Sequence, residues 1–208
     1  MGVAGGEALY RELVAHGAAA GTDLFDCHIA AAILAVAAQE DGELGANCGL
    51  DAGELAALAG AQFPGWNPPL VNETAPQPSE QILRDILMMH MARGSDFELL
   101  LVRMIARRSL RPNHLWQDLG LANRGELSLL IQRHFPRLAQ RNNADMKWKK
   151  FFYRMMCSSG QFRLCAAPVC SECDDFDDCF GSEDGEALLA RVANGRPLRG
   201  REEPEVPR

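Results

Sequence analysis

Four cysteines stand within 15 residues in the C-terminal part of the chain, in the order Cys165-x4-Cys170-x2-Cys173-x5-Cys179. Thiolate is a soft, electron-rich ligand, and four thiolates on so short a run can surround one metal centre. They are four of the seven cysteines in 208 residues, a concentration that a lone CxxC would not approach. Three chemistries stay open: an iron–sulfur cluster, a four-cysteine zinc site, and disulfides or free thiols. Structural zinc most often uses two separated CxxC-type knuckles, and here there is one, Cys170 to Cys173. The triplet Cys165-x4-Cys170-x2-Cys173 has the spacing of plant-type ferredoxins, although Cys179 follows almost at once and no strand pattern supports that fold. The spacing therefore favours iron–sulfur over zinc. Disulfides rank last, because the opening MGVAGGEALY lacks the cationic and apolar regions of a secretory signal.

Charge is arranged unevenly around the cluster. From Cys165 to Glu186 there are eight acidic residues and no Lys or Arg. Just upstream, Lys147, Lys150 and Arg154 share one arc of a helix expected over 145–157, while Trp148, Phe151, Phe152 and Met155 share another. The three cations are either a solvated helix face or an attractor that draws an oxyanion toward thiols or sulfide. Cys157, at the end of that helix, is a candidate fifth ligand or a buried thiol. His114 stands in a loop beside Trp116 and Asp118, where Asn113 or Asp118 could orient its ring as a neutral imidazole ligand. His90 and His134 fall on apolar helix faces and read as hydrogen-bonded core histidines. Cys27 reads as core, and Cys48, in a glycine-rich turn, has no assigned role.

The elements that must position these groups read as helical almost throughout. Helices are expected over 7–16, over 23–39 with Thr22 or Asp23 as cap, and over 51–61. Phe63 to Ser79 holds five prolines and reads as a surface loop. A helix from Ser79 carries Leu83, Ile86, Leu87 and His90 on one face. Ser95-x-x-Glu98 is a capping-box pattern that starts another through Leu110, with Leu101, Met104 and Ile105 toward the core. Arg103, Arg107, Arg108 and Arg111 make that helix basic, and for the row Arg103, Arg107 and Arg108 a solvated face is the expectation over a partner-binding one. Residues 126–134 form a further helix that Pro136 should break. The expected architecture is all-α: a helical domain over 1–156, a cysteine-rich cluster-binding segment over 157–182, and an acidic-to-mixed-charge tail over 183–208 that reads as disordered.

Composition narrows the function. A net charge of −7 and a pI near 5.3 argue against nucleic-acid binding and suit a cytoplasmic protein. No run is long enough to cross a membrane; the richest, Ile29 to Ala38, has ten residues. No nucleophile–base pair, carboxylate dyad or phosphate loop suggests an enzyme.

Three stretches together resemble the NifQ family: Asn113-His114-Leu115-Trp116-Gln117-Asp118-Leu119-Gly120-Leu121, then Met146-Lys147-Trp148-Lys149-Lys150-Phe151-Phe152-Tyr153-Arg154, then the cysteine run closing in Cys179-Phe180-Gly181. The resemblance spans roughly 80–182. It implies a nitrogen-fixation accessory protein that supplies molybdenum for the iron–molybdenum cofactor of nitrogenase. In that family the Cys-x4-Cys-x2-Cys-x5-Cys pattern is associated with an iron–sulfur cluster that takes up molybdenum, and the four positions match here at Cys165, Cys170, Cys173 and Cys179. Partners implied by the resemblance alone are the NifEN scaffold and NifH, with molybdate or another molybdenum source as cargo. The rival reading is a helical interaction module with a structural zinc site made of the four cysteines.

Overall fold

The computed structural model describes residues 3–72, 75–143 and 146–158, with side chains within the span from Gly5 to Met156. Among the described residues the chain forms helices and no strand: α1 (Val3–Ala20), α2 (Leu24–Ala37), α3 (Leu44–Cys48), α4 (Ala52–Gln62), α5 (Pro78–Met88), α6 (Asp96–Ser109), α7 (Leu115–Asp118), α8 (Arg124–His134), α9 (Pro136–Arg141) and α10 (Trp148–Ser158). The all-α expectation holds.

The centre is α2. Its sequence, LFDCHIAAAILAVA, is apolar on every side from Ile29 onward, and Ile29, Ala30, Ala31, Ile33, Leu34 and Ala37 lose all contact with solvent. A helix without a polar face has to be enclosed by its neighbours. Asp23 starts it, accepting from the backbone N–H groups of Phe25 and Asp26 at 3.1 and 3.0 Å. Helix α1 lies against α2 at close range: a Cβ on Gly17 would sit 2.2 Å from Cys27 Sγ. That approach explains the buried Cys27. Cys48, at the end of α3, is equally enclosed, and both thiols are free.

Helix α6 packs against α3, α4, α5 and α7. The capping box forms as expected: Glu98 N–H donates to Ser95 Oγ at 3.3 Å and Ser95 N–H to Glu98 Oε2 at 3.4 Å. Leu101, Met104 and Ile105 are fully buried. The arginines correct the sequence reading, because they are not a solvated face. Arg103 pairs with Glu54 at 2.6 Å, Arg107 with Glu80 at 2.9 Å, and both Arg108 and Arg111 with Glu40 at 2.7 and 2.6 Å. Glu80 and Arg108 are essentially inaccessible. A buried charge is tolerated only when paired and hydrogen-bonded, and carboxylates brought from α4, from α5 and from the turn after α2 meet that demand.

Helix α8 is bolted to α2 by two imidazoles. His28 Nε2–H donates to Glu126 at 2.7 Å while its Nδ1 meets the Tyr10 hydroxyl at 2.7 Å. His134 lies between Asp26 at 3.0 Å and Glu98 at 3.5 Å. Pro136 does not simply break the chain; it occupies the first position of α9, where its missing N–H costs no hydrogen bond. Helix α1 is longer than the expected 7–16. The stretch between α4 and α5 has no regular structure where it is described; it buries Phe63 and Trp66 but leaves Leu70 97% exposed.

Gly120, directly after α7, has φ +70°, and a Cβ there would lie 2.6 Å from the carbonyl oxygen of Ala32 on α2. Gly120→Ala is expected to cost at least about 1–3 kcal/mol, from left-handed strain plus the clash with backbone. Urea denaturation followed by circular dichroism checks this, and an unchanged midpoint would reject the close approach.

Candidate functional site

The described residues end at the threshold of the cysteine run. Cys165, Cys170, Cys173 and Cys179, and the tail over 183–208, lie outside them. Cys157 falls in the last turn of α10, and its side chain also lies outside them. Among the described residues no group of three or more His, Cys, Asp or Glu side chains is placed to hold a metal ion. What is on view is the anchor of α10, the helix from which the chain continues to the cysteines.

Trp148, Phe151 and Phe152 of α10 are buried and in mutual ring contact, with centroids 5.8 to 6.4 Å apart. The helix also buries Tyr153, Met156 and Lys149. Lys149 is the residue that sequence reasoning passed over. It pairs with Asp118, which is 3% exposed, and its ammonium also donates to the Arg111 carbonyl. Burial pushes this ammonium below the usual lysine range, against the pull of the Asp118 carboxylate.

Asp118 is itself held on two sides. Asn113 donates to its carboxylate at 3.1 Å, and Arg108 Nε–H donates to its carbonyl at 2.6 Å. Arg108 and Arg111 continue to Glu40, and Arg111 donates to Asn47 Oδ1 at 3.1 Å. Asn47 in turn donates to the carbonyls of Ala37, Glu40 and Asp41. One continuous polar array thus ties the end of α2, α3, the end of α6, α7 and the start of α10. A signal for Lys149 did exist: positions 149, 152, 153 and 156 stand at helical spacing i, i+3, i+4, i+7, and the other three are apolar or aromatic.

His114 precedes α7 and stacks on Trp116, with ring centroids 6.5 Å apart and planes 7° from parallel. Its backbone N–H donates to the Gln117 side chain at 3.1 Å. Asn113 and Asp118 bond to each other, as described. Burial holds the His114 imidazole below its ordinary value of 6.5, and the nearby Lys147 and Lys149 charges push the same way. Both influences favour the neutral ring, the form that can ligate a metal. Of the three expected oxyanion cations, Lys147 and Lys150 are half-buried and Arg154 is exposed. Arg154 donates weakly to Met146 Sδ, 3.8 Å away. His90 and His134 are the hydrogen-bonded core histidines that the sequence indicated: His90 lies 2.7 Å from the Ile86 carbonyl, and His134 between the two carboxylates.

The turn into α10 is closed by Asn142, whose amide donates to the Met146 carbonyl and accepts from the Met146 N–H, each at 2.9 Å. Arg124 reaches the same carbonyl at 3.3 Å. No described helix is long and apolar enough to cross a membrane.

These observations define an all-α protein whose last described helix is anchored by a buried ion pair shortly before a run of four cysteines. The family model described as NifQ matches residues 29–181, a span that takes in all four, and the chain belongs to the NifQ family, which places it among nitrogen-fixation proteins. It is 40% identical over 178 residues to a Protein NifQ homolog of Sinorhizobium fredii, covering 80% of this chain and 77% of that one. It is 38% identical over 144 residues to Protein NifQ of Rhodobacter capsulatus, covering 68% of this chain and 80% of that one. An 81-residue stretch is 49% identical to Protein NifQ of Klebsiella pneumoniae, covering 38% of this chain and 48% of that one. No solved structure matches the chain.

Two outcomes test the anchor. Lys149→Met leaves the Asp118 carboxylate buried without its cation, and a loss of about 3–5 kcal/mol in unfolding free energy is expected. Lys149→Met combined with Asp118→Asn should recover much of that loss, and a strictly additive double-mutant cycle would reject the coupling. For His114, an NMR titration should give a midpoint below 6.5, moving upward in Lys147→Met because a neighbouring positive charge is removed. A midpoint at or above that of a free histidine would contradict the environment described.

Proposed function

We propose that this chain is a molybdenum carrier. Cys165, Cys170, Cys173 and Cys179 hold an iron–sulfur cluster that accepts molybdenum, and the resulting Mo–Fe–S species is the cargo donated to assembly of the nitrogenase iron–molybdenum cofactor. The observation that carries this reading is the family match, which spans the uninterrupted Cys-x4-Cys-x2-Cys-x5-Cys run. The donor set agrees with it: four thiolates suit iron–sulfur chemistry and a sulfide-rich molybdenum, and they suit hard cations poorly.

Molybdate, the oxidised source, is a hard dianion, so a carrier has to attract an oxyanion before exchanging oxygen ligands for sulfur. Lys147, Lys150 and Arg154 stand on or beside the helix that leads to the cysteines, and they supply positive charge there. Cys157 and His114 are candidate additional ligands. The receiving partners are the NifEN scaffold and NifH. The protein works as an accessory to cofactor assembly in the cytoplasm and has no turnover chemistry of its own.

Anaerobically isolated protein is expected to be brown, with broad charge-transfer absorption and with iron, sulfide and molybdenum in metal analysis. Replacing any one of the four cysteines by Ala should abolish cluster retention while the helical circular dichroism signal largely survives. Colourless protein with about one zinc per chain would replace this reading with a structural zinc module. Collapse of helicity in the cysteine variants would mark the run as a structural staple.

A further inference from the structure

Beside α10 lies a pocket of about 250 Å³, bounded by the end of α9, the turn after it and the last two turns of α10. Its polar wall carries Arg141, Asn143 and Arg154, and its apolar wall carries Met146, Phe151 and Met155. Pockets for drug-sized ligands run to about 300–1,000 Å³, so this one suits a smaller occupant.

The two guanidiniums differ from those of α5 and α6, each of which is neutralised by a carboxylate. Neither Arg141 nor Arg154 forms an ion pair with a carboxylate among the described residues. Arg141 is nonetheless held in place. His90, 8% exposed, has its Nδ1 2.7 Å from the Ile86 carbonyl and its Nε2 3.1 Å from an Arg141 terminal nitrogen. A carbonyl can only accept and a guanidinium can only donate, so Nδ1 carries the proton and the Nε2 lone pair receives Arg141. The buried imidazole thus uses its one acceptor to aim a surface cation. Arg154 approaches the same space from α10, its only described hydrogen bond being the weak one to Met146 sulfur.

We infer that this pocket is a binding site for a small tetrahedral oxyanion, gripped between Arg141 and Arg154 with the Asn143 amide as a further donor. Planar guanidinium forks match oxyanions in paired hydrogen bonds, and the apolar wall of Met146, Phe151 and Met155 lowers the local dielectric in which they act. None of the residues that line the pocket is a cysteine, so the anion is received there at nitrogen donors. His90 acts as a positioning residue for Arg141. The inference rests on the molybdenum-carrier reading for the choice of molybdate as the relevant anion; the geometry of the pocket does not depend on it.

The test is equilibrium dialysis of the full-length, metal-free chain against sodium molybdate at fixed ionic strength, with tungstate as competitor. Saturable binding that tungstate displaces is expected, together with a loss on the order of tenfold or more in each of Arg141→Gln and Arg154→Gln. Both side chains are exposed, so the variants should keep the wild-type circular dichroism spectrum. Arg137→Gln, which removes an exposed cation of α9 that does not line the pocket, should change the affinity little. His90→Gln should weaken binding less than loss of Arg141, and it should weaken binding further when added to Arg154→Gln. Absence of saturable binding, equal affinity in the Arg141→Gln/Arg154→Gln chain, or an equal loss in Arg137→Gln would overturn the inference. Binding that persists when all four clustered cysteines are replaced by Ala supports a separate pocket, and binding lost with the cysteines but indifferent to both arginines overturns it. Failure of the carrier reading shows elsewhere, as protein that binds the anion yet never acquires iron and sulfide.

Discussion

The pairing of Lys149 with Asp118 is the constraint on which the rest of the described molecule turns. Ions without water are costly, and a cation at this depth is held only because a carboxylate and a carbonyl oxygen face it. Each member in turn satisfies another: Asp118 receives Asn113 and Arg108, and Arg108 and Arg111 share Glu40. Three cations and two carboxylates therefore stand or fall as one unit. The unit fixes where α10 begins relative to α6 and α7. It follows that the direction in which the chain leaves α10 is set by charge as well as by packing of Trp148, Phe151 and Phe152.

This arrangement puts rigid and functional demands in different places. The helices around α2 are joined by close backbone approach at Gly17 and Gly120 and by imidazole–carboxylate contacts between α2 and α8. Such a body has little freedom to rearrange, because packed interiors are bistable at best and not continuously deformable. Among the described residues, Arg141 and Arg154 stand without carboxylate partners beside a pocket lined from α9 and α10.

Much of this was legible in the sequence where local rules decide the outcome. Asp23 and the Ser95–Glu98 box start helices because side-chain oxygens satisfy N–H groups that helix geometry orphans, a purely local requirement. The apolar faces of α5, α6 and α8 follow from spacing alone, as do the core roles of His90, His134 and Cys27. The short helices α3, α7 and α9 offered too few residues for a period to show. Arg103, Arg107 and Arg108 misled because a row of cations on a helix is usually solvated; their pairing depends on Glu54, Glu80 and Glu40 arriving from distant segments, which no local window reveals. Lys149 failed for the same reason, since its carboxylate comes from 31 residues upstream. The four-cysteine run was singled out from its spacing, and the family match spans the same positions.

The burial of Cys27 and Cys48 has a practical corollary for anyone working with the intact molecule. Both thiols are sealed inside, and desolvation raises the Cys27 thiol above its ordinary range and pushes Cys48 up to about 11. Neither presents a nucleophilic sulfur to an alkylating reagent at neutral pH while the fold persists. Any label taken up by native protein therefore reports on the other five of its seven cysteines, without mutagenesis to silence a background.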